Sequence, residues 1–291
     1  MGRQNLVFPY PDDHFLDPGI PKGVLSPSGF NSYRRCPRQY MYSYVLGLRM
    51  PPKVVMIKGT AIHKGAEVVH KHTIEKKSLM SREESLQAVA DSFDEEKEEV
   101  EDWSETDEGT AKDEAIYSFE AYYHQAIPYI NPIAAEEPFA LRIGGVPIRG
   151  VIDLIDSVED QWSIVEEGEE KPRIQVVADL KTTKKKWPLQ KIEKEPQLTF
   201  YALAKDTAHT RVDFVIAGKK GVTYVPVSAE RDALEKRILT EDVIDVADNI
   251  KAGRFPRCDP TTWACTPSFC GYYDMCRGSA NTSKRGCLKK G

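Results

Sequence analysis

The hydrophobic period of this chain changes once, at Pro138, and that change limits what it can fold into. Before it, apolar residues recur at helical spacing among Glu and Lys from Lys58 to Lys76, Ser81 to Val100 and Glu108 to Tyr129. After it, Phe139 to Ile143, Val146 to Asp156, Trp162 to Val165 and Ile174 to Thr182 are short runs rich in Val and Ile, punctuated by Gly144-Gly145 and Gly168. Gln190 to Lys205 then reads as a helix, Val212 to Ala217 and Val222 to Val227 as strands, and Ala229 to Ala252 as a long charged helix. A helical lobe followed by strands interleaved with helices predicts an α/β fold around a central mixed sheet.

Upstream of the lobe, Leu25 to Leu48 begins with Ser26 before Pro27, an N-cap followed by a residue suited to a first helical turn. It predicts one or two short helices broken near Cys36-Pro37. Ser81 and Glu84 form a capping-box pattern, and the acidic stretch Glu101 to Gly109 reads as a solvated connection.

With 291 residues, 41% hydrophobic, burial alone can hold the fold. No apolar run approaches the roughly 18 to 20 residues that span a bilayer, and the first twenty residues mix acids with prolines, so the expected setting is a reducing cytoplasm without a membrane. The net charge of −5 gives no global positive field, which leaves any nucleic-acid contact to local patches.

The chemistry concentrates in two strands. In Val176-Val177-Ala178-Asp179-Leu180-Lys181-Thr182 an acid and a lysine stand two apart and share one face of the pleat. Gly150 to Asp156 is a second apolar strand, interrupted by Asp153. If both lie in one sheet, Asp153 and Asp179 converge on a hard divalent cation, Mg2+ or Mn2+, with the Leu180 carbonyl as a further oxygen ligand and Lys181 beside the reacting water or phosphate. Glu136 and Glu137, just ahead of the first strand, are candidates for an extra ligand or a second metal. The plain alternative is an exposed ion pair at a strand end. Against it stands the Val, Ile and Leu around each acid, which withholds solvation unless a cation or donor is present.

Ile152-Asp153 followed by Asp179-Leu180-Lys181 resembles the PD-(D/E)XK nuclease signature. The surroundings resemble its RecB-type exonuclease branch, which includes CRISPR-associated and bacteriophage iron–sulfur nucleases. Lys58-Gly59-Thr60-Ala61-Ile62-His63 is similar to the branch's glycine-then-histidine helix, and Gln197 to Tyr201 (QLTFY) to its QxxxY helix. The resemblance spans roughly residues 25 to 278 and implies a restriction-endonuclease-like core. It implies His63 as a metal ligand beside Asp153 and Asp179, and a catalytic set of Asp153, Asp179, Lys181, Gln197 and Tyr201. Gln197 and Tyr201, at i and i+4, share a helix face and could bond phosphate and Lys181, or form a polar seam. His70 and His72 point to different faces and make poor joint ligands. The acid before the lysine is Asp where Glu is the simpler family pattern.

Six cysteines stand at positions 36, 258, 265, 270, 276 and 287. Cys265, Cys270 and Cys276 have Cx4C then Cx5C spacing amid Trp263, Phe269, Tyr272 and Tyr273, and three thiolates need a fourth. Cys36 before Pro37 resembles the distant N-terminal ligand of the family's [4Fe–4S] site, whose expected role is a structural clasp. The competing reading is a local Zn2+ site of Cys258, Cys265, Cys270 and Cys276. Under the first, Cys258 and Cys287 are spare.

Lys184, Lys185 and Lys186 followed by Trp187 come directly after the lysine strand, where cations can neutralise phosphate and an indole can stack on an unpaired base. Arg34, Arg35, Arg38 and Lys64 add further positive charge, and no Walker A motif is present. The resemblance implies a metal-dependent DNA exonuclease acting on single-stranded or frayed ends, in phage or mobile-element recombination, with a recombination protein as possible partner. A non-catalytic DNA-binding or scaffolding protein that keeps the fold, and a zinc-containing regulator, are the alternatives. The corresponding organisation is an N-terminal extension (1–24), a helical lobe with Cys36 and His63 (25–135), a nuclease core (136–252), a cluster-binding segment (253–278) and a basic disordered tail (279–291).

Overall fold

A computed structural model describes residues 15–160, 163, 169–278 and 289–290. The expected strand at 162–165, Gly168, Cys287 and most of the N-terminal extension and basic tail lie outside the described residues. Its elements are α1 (Pro27–Arg35), α2 (Pro37–Tyr40), β1 (Leu48–Arg49), α3 (Val54–Lys76), α4 (Arg82–Glu96), α5 (Glu108–Gln125), β2 (Pro132–Ile143), β3 (Val146–Glu159), β4 (Arg173–Thr183), α6 (Leu189–Glu193), α7 (Pro196–Ala204), β5 (His209–Gly218), β6 (Gly221–Glu230), α8 (Ala233–Lys251), α9 (Tyr273–Arg277) and β7 (Lys289–Lys290). Five strands form a mixed sheet in the order β2-β3-β4-β5-β6, flanked by helices, which is the restriction-endonuclease-like architecture expected. β4 runs parallel to β5, while β3/β4 and β5/β6 are antiparallel.

Grouped by contact, the chain forms two compact units. One comprises residues 1–51, 138–150 and 236–291; the other comprises 52–137 and 151–235. In the first, Ser26 caps α1 by accepting the Gly29 amide at 3.0 Å, and the break falls at Cys36 before Pro37 as expected. Tyr33 donates to the Arg254 carbonyl at 2.6 Å, and its ring meets Phe255 edge-on, so the first helix is tied to the segment after α8. β1 and β7 pair antiparallel.

The second unit is built around β5, which carries Val212 and Phe214 on one face and Val215 on the other because both faces are covered. Val212 and Phe214 pack with Ile192 and Leu198 from α6 and α7. Val215 and Leu180 join the larger core supplied by α3, α4 and α5, through Ile62, Val69, Val89, Phe93 and Phe119. Gly65 permits that helix packing, since a Cβ there would stand 2.5 Å from Val89 Cγ2 and 2.7 Å from the Phe119 ring.

Several boundaries differ from the sequence reading. β2 already begins at Pro132, so Pro138 lies inside a strand and not ahead of one. The helix expected over 190–205 is two helices, because Pro196 removes an amide and restarts the turn at α7. Ala229 and Glu230 belong to β6 and not to the following helix, held by the pairing of Thr210 with Ala229 and of His209 with Glu230.

Candidate active site

β3 and β4 pair from Glu159↔Arg173 as far as Leu154↔Ala178. Asp153 and Asp179 are the next residue on each strand beyond that last pair. Asp153 Oδ2 accepts the Leu180 amide at 3.0 Å, so a side chain takes the amide where the ladder ends. The two acids that sequence alone placed on separate strands therefore stand together, with Lys181 on the same face as Asp179.

Asp179 is fully buried. Its Oδ1 accepts from Lys181 Nζ at 2.7 Å, while Oδ2 has no partner. Burial pushes its carboxyl up to about 7 despite the Lys181 ammonium, and the Asp153 charge adds to the rise. Burial works to lower the Lys181 ammonium, but Asp179 and Asp153 override it and raise the pKa.

His63 projects from α3 with Nδ1 3.5 Å from Asp153 Oδ2. Glu136 arrives from β2, where it takes a left-handed backbone (φ 49°) in the middle of a strand. Among the described residues, His63, Glu136 and Asp153 are the one set of three acid, histidine or thiol ligand atoms all within 4.8 Å of one another. Burial pushes the Glu136 carboxyl up to about 8, helped by the Asp153 and Glu67 charges. Glu67 and His70, from the same helix as His63, line the same pocket. Glu67 is held below its usual range by Lys71 and Lys64 against the effect of burial. His70 is buried with Nε2 2.9 Å from the Tyr122 hydroxyl, and burial lowers it to about 4. His72 does not join this pocket.

The residues fit a divalent cation. His63, Glu136 and Asp153 bring two carboxylates and an imidazole together, and Asp179 on the next strand holds a buried carboxylate oxygen without a hydrogen-bond partner, a donor set of hard oxygen and imidazole. The sequence reading left Glu136 as a secondary candidate and passed over Glu67. The signal for Glu67 was its i+4 spacing from His63 on one helix face. For Glu136 nothing local gave the left-handed turn that aims it. Glu137 instead accepts from Lys205 at 3.1 Å.

α7 brings Gln197 to the lysine. Its Oε1 lies 3.5 Å from Lys181 Nζ, and its Nε2 donates to the Tyr201 hydroxyl at 2.7 Å. Tyr201, 2% exposed, is a buried prop for Gln197. Lys184, Lys185 and Lys186 are exposed, in a turn closed by Thr183 and Lys185. Trp187 is partly buried, with Phe214 at 5.6 Å and Lys191 Nζ 3.5 Å over its ring. Of the other cations named above, Arg34 pairs with Asp242, Arg35 lies over Phe269 and Lys64 pairs with Glu67.

In the first unit, Cys36, Cys258, Cys265, Cys270 and Cys276, none in a disulfide, line one pocket. The sequence set of four is thus brought together, with Cys258 as a fifth.

A family model described as the PD-(D/E)XK nuclease superfamily matches residues 24–277. No curated protein matches the chain. Among solved structures, one described as a "putative exonuclease" from Eubacterium rectale is 10% identical, covering 84% of this chain and 87% of that one, with a TM-score of 0.51. At that identity the likeness is one of fold. A second, SSO0001, is 13% identical over 76% of this chain and 86% of that one, with a TM-score of 0.35.

Proposed function

This chain belongs to the PD-(D/E)XK nuclease superfamily, and from that premise we propose that it is a divalent-metal-dependent DNA exonuclease acting on single-stranded or frayed ends. The observation that carries the reading is Asp179: a buried carboxylate with one oxygen unpartnered, facing the charge of Asp153 and touching Lys181. A buried carboxylate oxygen left without a donor is costly unless a cation completes it, and Lys181 reaches only the other oxygen.

His63, Asp153 and Asp179 would hold Mg2+ or Mn2+, with Glu136 and the Leu180 carbonyl as additional donors. What such an ion supplies when bound is Lewis-acid polarisation of the phosphoryl group and acidification of water. Lys181 keeps its proton in this setting and offsets charge that develops on the phosphate, or orients the attacking water by donating to it. Gln197 fixes the position of that ammonium, and Tyr201 fixes Gln197. The exposed lysines 184–186 hold the strand by its phosphates, so affinity falls as salt rises.

The thiol pocket supports a [4Fe–4S] cluster held by Cys36, Cys265, Cys270 and Cys276. A tetrahedral zinc with Zn–S bonds of about 2.3 Å would need sulfurs about 3.8 Å apart. No three of these sulfurs lie within 4.8 Å of one another, a spread that favours a larger group. Such a clasp contributes folding free energy directly.

The deciding experiment is digestion of end-labelled single-stranded DNA and of a closed circle, with and without Mg2+, by the wild type and Lys181→Ala. Mg2+-dependent loss of the linear strand alone, abolished in the variant, is the expected result. Binding without cleavage in every condition would sink the enzyme reading in favour of a scaffold.

A further inference from the structure

The nuclease site makes no use of the groups around the thiol pocket, and these carry an inference that rests on the cluster reading above. Guanidinium groups converge on the sulfurs. Arg257 Nε lies 3.3 Å from Cys276 Sγ while donating to that residue's carbonyl at 3.1 Å. Arg277 hydrogen-bonds the Cys265 thiol and, through Nη2, donates to the Cys258 carbonyl at 3.0 Å. Arg38 also lines the pocket, and its Nε is buried with no acceptor in reach. The Cys258 thiol adds a hydrogen bond to Cys36.

The charges on this wall are one-sided. Its lining holds three arginines and five thiols and no carboxylate. Arg38 Nε, buried without an acceptor, costs free energy unless the contents of the pocket answer it, and Arg257 and Arg277, both exposed, line the same pocket with further positive charge. A four-iron cluster on four thiolates is an anion, and it gains a further negative charge on one-electron reduction. Donors aimed at its sulfurs stabilise the reduced form more than the oxidised one, because the interaction grows with the charge.

We propose that Arg38, Arg257 and Arg277, with the Cys258 thiol, form a collar of donors that raises the reduction potential of the cluster, so that Cys258 tunes the site and is not one of its four ligands. The collar gives this clasp a one-electron couple set by the protein, beyond its expected role as a staple.

The full chain, purified without oxygen, tests this by iron and acid-labile sulfide content, absorption near about 400 nm, and a dithionite titration followed by electron paramagnetic resonance. Arg257→Gln, Arg277→Gln and Cys258→Ala should each keep the wild-type iron content and become harder to reduce. The expected loss at each arginine is about tenfold in the equilibrium for reduction, about 59 mV lower for a one-electron couple. Cys36→Ala, by contrast, should lose iron. Testing the arginines separately leaves one to decide if the other sheds its iron. Unchanged potentials in loaded variants would overturn the collar while leaving the cluster intact. Loss of iron in Cys258→Ala with retention in Cys36→Ala would make Cys258 a ligand and overturn its assigned role. A colourless wild type without iron would remove the cluster reading and the collar with it, and would leave the nuclease reading to its own assay.

Discussion

Asp153 accepts the backbone amide of Leu180 at 3.0 Å, so the strand that carries the acid-and-lysine pair is tied to its neighbour by the very residue proposed to hold the metal. A change in that carboxylate acts on both the ion and the strand. Asp153→Ala should lose metal affinity and also loosen the end of the sheet. Asp153→Asn keeps an acceptor for Leu180 and should lose metal affinity alone. Calorimetric Mg2+ titration beside thermal unfolding separates the two.

Lys181→Ala should reduce cleavage by about 100-fold or more, because it removes a donor aimed at developing charge. Metal affinity should change far less. Tyr201→Phe removes the hydroxyl that accepts from Gln197 and should cost less than Lys181→Ala under the same steady-state assay.

Glu136 sits among other acids, in a backbone conformation that a strand residue rarely adopts. Glu136→Gln should therefore raise the melting temperature of the metal-free protein at pH 8 and weaken Mg2+ binding by about tenfold. The conflict between stability and binding at one residue is what scanning calorimetry and metal titration would register.

Asp179 and Glu136 have folded-state pKa values raised to about 7 and about 8. Their contribution to stability is fully present below the unfolded carboxylate range and is lost as pH rises through those values. Metal-free protein should gain stability as pH falls from 8 toward 5. Mg2+ binding should release protons at pH 6 and nearly none at pH 9, measured by calorimetry in buffers of different ionisation enthalpy.

Arg211 links two strands through a buried pair of acids, with Nη1 2.7 Å from Asp156 and Nε 2.7 Å from Asp213, which also accepts from Tyr224. Arg211→Met leaves both carboxylates facing each other and should cost about 3–5 kcal/mol in urea unfolding.

Much of the fold was legible because its signals are local. Ser26 before Pro27 and Ser81 before Glu84 each place a helix start by short-range chemistry, while the change of period read at Pro138 finds the first strand but starts it late, at Phe139 and not at Pro132. So was the core of the site, since Asp179 and Lys181 need only a strand to share a face. What stayed hidden depends on where the chain returns. Glu136 needs a left-handed residue inside a strand, Tyr201 is buried by packing that its own helix does not reveal, and Trp187 meets Phe214 only once β5 is in place. Arg211 meets Asp156 only once β3 and β5 lie in one sheet.

The first unit draws its residues from both ends of the chain, and this orders events during synthesis. Tyr33 leaves the ribosome more than two hundred residues before Arg254, whose carbonyl it will bond, and Cys36 waits as long for Cys265, Cys270 and Cys276. Every residue of the second unit has by then been translated. If the cluster proposed above is held, iron delivered before residue 258 emerges would find Cys36 alone, and a nascent chain stalled there would already carry Asp153, Asp179 and Lys181 with the proposed clasp still open.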